Sequence, residues 1–352
     1  MVFSSSAFYL IRILFFGVFT SILAILLTPF LTHILYKYHF GKQIREDDNA
    51  PIYISLHKKK EGTPTMGGIL IWGSVLIVTL VFFYLSQITN GFFGALNFLS
   101  RSQTWLPLGA MIGAALVGLG DDVLGVLRIG VKGGGLRVKE KIAIYTFISL
   151  IGAWWFWAKL GREAIYIPFF GEVGLGVWYI LFFVFVLVAA TFSMNETDGL
   201  DGLAAGVSLI GFACLLVVAF SQGMYDLAAF LSVLIGSIIA FLWFNVYPAR
   251  FFMGDTGAMA LGITMGVVAM ITDTALYLPF FCFILIAESL SVISQKIYRK
   301  VKKKKLFLST PIHHHFEAKG WPETKVTMRF WLISGVVAIF GLALYFLDMF
   351  LV

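Results

Sequence analysis

The chain of 352 residues is 59% hydrophobic and only 13% charged, whereas soluble domains average about 45–50% and about 25%. A globule of this size has too little interior to bury so much apolar surface, so the composition excludes a soluble protein. The net charge of +7 predicts an oriented membrane protein and no nucleic-acid partner, because the positive residues are confined to particular loops.

Ten apolar segments follow one another along the chain, each about long enough to cross a hydrocarbon layer of roughly 30 Å. We predict membrane spans at residues 9–35, 69–87, 105–125, 142–160, 177–194, 202–221, 226–245, 257–272, 274–295 and 329–352. The sequence therefore predicts an all-α integral membrane protein of about ten transmembrane helices, with residues 1–352 forming one polytopic domain. Cys214 and Cys282 lie inside these segments and are interpreted as buried apolar side chains, not as a disulfide or metal site.

The distribution of lysine and arginine predicts the orientation. The loops after the first, third, fifth, seventh and ninth spans carry 22 of the 26 basic residues. Basic loops stay on the cytoplasmic side, so both termini are predicted to be periplasmic or extracellular. The run Lys302–Lys305 is interpreted as an anchor to anionic headgroups, with direct substrate contact as the alternative.

Polar side chains of catalytic character fall on the predicted cytoplasmic face. They are one adjacent pair, three residues at every third position and one acid after the seventh span: Asp121, Asp122, Asn195, Asp198, Asp201 and Asp255. Acids at a membrane border are costly unless something binds them. The connection that carries the triplet contains no lysine or arginine, and oxygen ligands suit magnesium or manganese better than zinc. The sequence therefore predicts a divalent-cation site in a cytoplasmic cleft.

Three successive histidines, His313–His315, follow Pro311 in the loop before the last span. Consecutive side chains diverge and no cysteine is near, which disfavours a zinc site. We interpret them as donors to a phosphate or a sugar, with a cluster held by backbone carbonyls as the alternative.

The roles of two further features cannot be decided from the residues alone. The stretch Thr63–Gly68 either cradles a phosphate through its backbone amides or forms a tight entry into the second span. Glu288, near the inner end of the ninth span, is expected to face the bundle interior, as a structural partner or as a site residue.

The motifs resemble, in order, those of the phospho-N-acetylmuramoyl-pentapeptide transferases, a branch of the polyprenyl-phosphate N-acetylhexosamine-1-phosphate transferase superfamily. The matching segments are Gly62–Gly68, Asp121–Asp122, Asn195–Leu203, Phe244–Asn245, Phe252–Asp255 and Pro311–Glu317. The paired aspartates are typical of the whole superfamily, whereas the first and last segments resemble the muramoyl-pentapeptide branch.

The resemblance implies ten spans, outward termini and a multi-pass enzyme of the bacterial inner (cytoplasmic) membrane. It implies transfer of phospho-N-acetylmuramoyl-pentapeptide from UDP-N-acetylmuramoyl-pentapeptide to undecaprenyl phosphate, giving lipid I and UMP with Mg²⁺ as cofactor. Whether the protein forms a homodimer is left undecided. The alternatives are a related transferase that uses UDP-N-acetylglucosamine and a secondary transporter, although transporters place their ionisable groups near the bilayer midplane.

The resemblance also implies roles for individual residues. Asp255 is implied as the metal ligand, Asp121 as a base or as the residue that positions the lipid phosphate, and Asp122 as its neighbour in that site. His313 joins these three as a predicted catalytic residue. The implied substrate-binding residues are Lys60, Thr65, Lys139, Lys141, Asn195, Asp198, Asp201, Asn245, Phe252, His314 and His315, with Asn245 and Phe252 at the uridine.

The chain departs from the family pattern at three places. Val123-Leu124-Gly125 follows the paired aspartates where a tyrosine and then a lysine are expected, and Ala258 stands where the family usually has serine. The loop through Gly133–Gly135 is also longer, which makes Lys132 a rival of Lys139 and Lys141 for contact with a phosphate.

The acceptor chemistry limits what Asp121 must do. A phosphate monoester has its second pKa near 6, so the lipid phosphate is mostly a dianion at pH 7. We therefore predict that Asp121 positions the acceptor more than it removes a proton. Direct attack is favoured over a covalent aspartyl-phosphate.

Overall fold

The computed structural model describes residues 5–38, 40–41, 60, 62–89, 91–100, 103–130 and 134–351, and most of them are helical. In chain order the helices are α1 (Ser5–Lys37), α2 (Ile69–Ile88), α3 (Phe92–Leu96), α4 (Trp105–Val126), α5 (Val138–Leu160), α6 (Trp178–Thr197), α7 (Leu203–Ser221), α8 (Tyr225–Asn245), α9 (Gly254–Ile271), α10 (Leu278–Phe281), α11 (Phe283–Lys302), α12 (Ile312–Ala318) and α13 (Glu323–Leu351). A short antiparallel hairpin, β1 (Ala164–Ile167) and β2 (Gly171–Gly174), lies between α5 and α6.

Within the described ranges, nine helices are long and apolar enough to cross a membrane: α1, α2, α4 to α9 and α13. They correspond to nine of the ten predicted spans, which confirms the all-α membrane architecture. The predicted span at 274–295 is not one straight helix, because α10 and α11 meet at a bend of 91°. Hydropathy does not reveal this bend, since the residues on both sides of Cys282 are apolar. Counting the bent pair as one span gives ten.

Among the helices that begin earlier than hydropathy predicts, three have extensions that carry charged residues. Helix α5 begins at Val138 and not at residue 142, α9 at Gly254 and not at 257, and α13 at Glu323 and not at 329. Charges lower the hydropathy of a first turn without stopping the helix, and acids there interact favourably with the helix dipole. In α5, Glu140 accepts a hydrogen bond of 2.7 Å from the N–H of Arg137 and so caps the helix start.

Helix α9 lies at the centre of the bundle, and nearly all of its residues are buried. Glycines allow its neighbours to approach closely: a Cβ atom at Gly262 would lie 2.5 Å from the Cα of Thr191 in α6. A Cβ atom at Gly118 in α4 would overlap the backbone carbonyl of Asp255. Contact at small residues is typical of membrane helices, and here it holds the end of α4 against the first turn of α9.

The glycine-rich segment before α2 is joined by hydrogen bonds to the segment that leads into α9. The Phe252 N–H donates to the carbonyl of Pro64, and the Gly67 N–H donates to the carbonyl of Phe252, each at 2.8 Å. The Gly68 N–H donates to the carbonyl of Met253 at 2.8 Å. The amides of Gly67 and Gly68 are therefore occupied, so for these two the tight-entry interpretation is correct and the phosphate-cradle interpretation is wrong.

Candidate active site

Lys141 lies between two carboxylates where α4, α5, α6 and α9 converge. Its Nζ is 2.7 Å from Oδ2 of Asp121 and also contacts Oδ2 of Asp255. The second oxygen of Asp255 accepts a hydrogen bond of 2.5 Å from the side-chain amide of Asn195. We call these four residues the Lys141 cluster. The ends of four helices thus bring together residues that are up to 134 positions apart in the sequence.

Asp122 has different partners from Asp121, as expected for neighbours that point about 100° apart on a helix. Its two carboxylate oxygens accept hydrogen bonds from the N–H groups of Asp255 at 3.1 Å and Thr256 at 3.0 Å. An acid from α4 therefore caps the first turn of α9, where unpaired N–H groups and the helix dipole favour negative charge. The hydroxyl of Thr65 lies beside the same turn, since a Cβ atom at Gly254 would be 2.7 Å from it.

Asp121 is buried and is one of the residues that line an apolar groove. Its Oδ1 accepts a hydrogen bond of 2.5 Å from the N–H of Leu136, which lies in the segment between α4 and α5. The groove has a volume of about 590 Å³ and is lined by Leu116, Val117, Leu119, Gly120, Asp121, Val123, Leu124 and Leu136. Asp121 is the one ionisable side chain in that lining.

A second group of charges surrounds Lys60, just before the glycine-rich segment. Its Nζ is 2.6 Å from Oδ1 of Asp201 and 2.5 Å from Oε1 of Glu323. Burial disfavours the charged lysine, but Glu323 and Asp201 outweigh it and raise the pKa of Lys60 above its ordinary value. Lys60 also lies 5.8 Å from the ring centroid of Phe252. We call Lys60, Asp201 and Glu323 the Lys60 cluster.

Asn245 joins the two segments that carry these residues. Its side-chain carbonyl accepts a hydrogen bond of 3.0 Å from the N–H of Gly202, and its amide donates to the carbonyl of Phe251 at 2.9 Å. The side chain is buried and engages backbone on both sides. Asn245 therefore fixes the position of Phe252 relative to Asp201.

The three histidines of α12 have three different sets of neighbours. His313 is fully buried, with Nδ1 3.0 Å from Oε2 of Glu288 and its ring against the backbone of Gly199, where a Cβ atom would overlap it. Burial opposes a charged ring, but Glu288 dominates and raises the pKa of His313. The sequence left open whether Glu288 is a structural partner or a site residue, and the structure shows it as the partner of His313.

The other two histidines point elsewhere. His314 Nδ1 is 2.7 Å from Oε2 of Glu317. His315 Nδ1 accepts a hydrogen bond of 3.1 Å from the N–H of Leu308, and burial together with Lys319 lowers the pKa of His315. The divergence agrees with the argument against a zinc site.

Not every predicted residue reaches these two clusters. Lys139 is exposed on α5, whereas Lys141, two residues further on, faces the carboxylates. The rival Lys132 lies outside the described residues. Asp198 is partly buried and directly follows Thr197, the last residue of α6. Sequence reasoning missed Glu323, although an acid at a helix start in an otherwise basic loop was a usable signal.

The acids of the Lys141 cluster suit a divalent cation only if other groups complete its coordination. Among the described residues, no three histidine, cysteine or acidic side chains converge as a complete metal cage. Asp121 and Asp255 do converge on one position, which the Lys141 ammonium occupies. One or two carboxylates suit Mg²⁺, which keeps waters and binds substrate phosphates as its other ligands. Asp255 and Asp121 are therefore the residues able to hold such an ion.

Comparison with known proteins places these residues in a family context. Residues 104–273 match the family described as Glycosyl transferase family 4, and residues 60–71 match the Phospho-N-acetylmuramoyl-pentapeptide-transferase signature 1. The chain is 36% identical to the phospho-N-acetylmuramoyl-pentapeptide-transferase of Anoxybacillus flavithermus, over 94% of this chain and 97% of the relative. It is 37% identical to the Clostridium novyi protein of the same name, over 89% of this chain and 90% of the relative.

Proposed function

Because the chain belongs to the phospho-N-acetylmuramoyl-pentapeptide-transferase family, we propose that its Lys141 cluster joins a lipid phosphate to the phospho-sugar of a UDP-linked donor. The protein is a multi-pass bacterial membrane enzyme of peptidoglycan synthesis. The donor is UDP-N-acetylmuramoyl-pentapeptide, the acceptor is undecaprenyl phosphate, and the products are lipid I and UMP. The observation that carries the assignment to this site is the single Lys141 ammonium shared by Asp121 and Asp255.

The acceptor reaches the cluster along the apolar groove of α4. A polyprenyl chain is apolar and stays in the hydrocarbon layer, whereas its phosphate needs a polar end point at the membrane border. The groove of about 590 Å³ supplies both, since its lining is apolar except for Asp121. Lys141, which contacts Asp121, neutralises the approaching phosphate.

The donor binds on the side of the Lys60 cluster. The Phe252 ring, 5.8 Å from Lys60 Nζ, is proposed to stack on uracil, as aromatic rings do with bases. Phe252 and Asp255 are three residues apart on one segment, so a nucleotide on the ring directs its diphosphate towards the first turn of α9. Lys60, with its raised pKa, stays positively charged throughout the working pH range.

The reaction is then a single displacement. An oxygen of the lipid phosphate attacks the phosphorus that carries the sugar, and a new P–O bond forms. The bond from that phosphorus to the oxygen of UMP breaks, and UMP leaves with the electron pair. No proton needs to move, because the acceptor is mostly a dianion at pH 7. Asp121 therefore positions the acceptor through Lys141.

Magnesium is proposed as the cofactor, with Asp255 as its ligand and Asp121 within reach of the same position. When bound, the ion supplies positive charge that offsets repulsion between the two reactants and stabilises the leaving UMP. Asp122 keeps Asp255 in place by capping the first turn of α9.

The test is UMP release from purified enzyme in detergent or nanodiscs with undecaprenyl phosphate. Wild-type enzyme is expected to release UMP with UDP-N-acetylmuramoyl-pentapeptide only when Mg²⁺ is present, and Asp255→Asn is expected to lose about 10²- to 10³-fold in kcat. Asp273→Asn, an acid removed beyond the other end of α9, is the matched control and is expected to keep its activity. UMP release only with UDP-N-acetylglucosamine would refute the assigned donor, and solute flux without UMP release would indicate a transporter.

We also propose that the site end of the bundle faces the cytoplasm and that the protein lies in the inner membrane. The support is the concentration of 22 of 26 basic residues in the loops at that end. Both native cysteines are buried, so an introduced cysteine can report on sidedness. A membrane-impermeant maleimide is expected to label Glu172→Cys in intact spheroplasts and Lys303→Cys only after lysis. The reverse pattern would refute the orientation.

A further inference from the structure

Tyr145 in α5 has a buried hydroxyl that donates to no acceptor among the described residues. The side chain is 1% exposed, and its oxygen has no hydrogen-bond partner within the part of the chain that the structure describes. A buried polar group without a partner costs about 1–3 kcal/mol. Most buried polar groups are satisfied, so one that is not requires an explanation.

The position of Tyr145 points to the reacting groups. It lies four residues after Lys141, so the two side chains share one face of α5. Helical side chains lean towards the N-terminus of their helix, which directs the phenol back to the level of Lys141. The carboxylates of Asp255, Asp121 and Glu196 all act on this hydroxyl electrostatically. The hydroxyl therefore lies on the Lys141 face of α5, one helical turn further along the helix.

The carboxylates of the cluster already have donors. Asp121 accepts from the N–H of Leu136 and from Lys141. Asp255 accepts from Asn195 and Lys141. The neutral phenol of Tyr145 has no hydrogen-bond partner in the described part of the chain, so it can donate to an anion that binds at the cluster. The anion that this site is built to receive is a phosphate.

We propose that the Tyr145 hydroxyl donates a hydrogen bond to a phosphate oxygen of a reactant bound at the Lys141 cluster. The inference rests on the proposed function, because it takes the reactants to be phosphates. Such a donor is already desolvated and oriented in the free enzyme, so little reorganisation opposes the bond when the phosphate binds. Tyr145 is then a phosphate-binding residue that adds a neutral donor to the positive charge of Lys141.

Tyr179 in α6 offers a matched control. Its side chain is also 1% exposed, and its hydroxyl also has no hydrogen-bond partner among the described residues. The charges that act on it are those of Asp273 and Arg162, towards the opposite end of the bundle. Tyr145→Phe and Tyr179→Phe therefore remove the same atom from the same kind of buried environment, and only one of them is beside the cluster.

The experiment compares both variants with the wild type in purified full-length enzyme. Tyr145→Phe is expected to lose about 10- to 100-fold in kcat/KM, the range for one hydrogen bond to a charged group. Tyr179→Phe is expected to stay within about twofold of the wild type. Neither variant is expected to melt below the wild type, because each removes an unsatisfied polar atom. The KM is measured for each substrate. The substrate whose KM rises in Tyr145→Phe is the one whose phosphate Tyr145 binds, either the UDP-linked donor or the lipid acceptor.

The outcomes separate this inference from the proposed function. A wild-type enzyme that releases no UMP from UDP-N-acetylmuramoyl-pentapeptide contradicts the proposed function itself. If the wild type is active and Tyr145→Phe has the same kcat and the same two KM values, then the proposed role of Tyr145 is wrong, and the proposed function still stands. A Tyr145→Phe variant that melts lower with unchanged kinetics assigns the hydroxyl a structural role and overturns it as well.

Discussion

The two ends of the bundle both hold ion pairs, but they balance their charges differently. At the site end each of two lysines is shared by two acids, Lys141 by Asp121 and Asp255, and Lys60 by Asp201 and Glu323. At the opposite end, the ion pairs that the structure describes join one base to one acid. Arg12 pairs with Asp226 at 2.8 Å, and Arg162 pairs with Asp273 at 2.7 Å.

This difference in stoichiometry distinguishes a site from a scaffold. An excess of carboxylate at a membrane border is unfavourable unless further positive charge is bound. The site end therefore favours an additional cation, and the opposite end does not. Asp348, which is fully buried at the opposite end, belongs to neither of these pairs and is an exception to the one-to-one pattern. Neutral groups hold it, namely the N–H of Phe169 at 2.9 Å and the hydroxyl of Tyr277.

The largest expected effect comes from removing the shared cation of the Lys141 cluster. Lys141→Gln leaves two carboxylates facing each other and removes the positive charge that meets both phosphates. We expect UMP release to fall by at least about 10³-fold, equivalent to about 4 kcal/mol. The measurement is kcat at saturating substrates and magnesium.

Lys139→Gln is the matched comparison, since the exposed Lys139 differs from Lys141 by two positions on the same helix. It is expected to keep its activity within about twofold. If the exposed lysine mattered more than the buried one, the Lys141 cluster would not be the reaction centre.

Lys139 and Lys141 also show how much of the site can be predicted from the sequence. The motif resemblance names both Lys139 and Lys141 but does not decide between them. The decision depends on the start of α5 at Val138, which hydropathy places four residues too late. Only the helical phase from that start directs Lys141 inwards and leaves Lys139 exposed. The composition predicts the helices well, because each span must satisfy its own backbone hydrogen bonds in lipid.

Contacts between residues far apart in the chain could not be predicted from the sequence for a different reason. The adjacent Asp121 and Asp122 look equivalent in a motif, yet one contacts Lys141 and the other caps α9. That division follows from the backbone contact at Gly118, which a single sequence does not reveal. Glu323 was missed because its partner Lys60 is 263 residues away.

A smaller effect is expected at the opposite end, on stability alone. Asp226→Asn removes the acid from Arg12, whose side chain is only 3% exposed and whose other acceptors are the carbonyls of Ala95 and Asn97. Because Asp226 is a third exposed, we expect a loss of about 1–3 kcal/mol, below the full cost of breaking a buried pair. The measurements are the melting temperature and kcat per folded enzyme, and kcat is expected to stay unchanged.

Arg162→Gln provides the matched comparison for that loss. Its ion pair is more exposed, at 39% for Arg162 and 33% for Asp273, so its removal is expected to cost less than about 1 kcal/mol. High salt is expected to erase this cost and to leave the Asp226→Asn loss in place, because buried pairs are screened much less. A fall in kcat in either variant would show that the opposite end is coupled to the reaction, and the comparison between the two ends would fail.

The last effect is a pH dependence of stability and concerns His313 and Glu288, a one-to-one pair at the site end. Burial opposes a charged His313, but Glu288 outweighs it, so the pKa of His313 is raised above the ordinary value of 6.5. A group with a raised pKa contributes its stability fully below the unfolded value and loses it as the pH rises through the folded value. The melting temperature is therefore expected to decrease as the pH is raised from about 6 through the raised pKa. Glu288→Gln is expected to flatten that decrease, because the amide no longer favours the charged ring. If the melting temperature of Glu288→Gln falls with pH as steeply as that of the wild type, then Glu288 does not hold the proton on His313. In that case the interpretation of one-to-one pairs as structural does not apply to this pair.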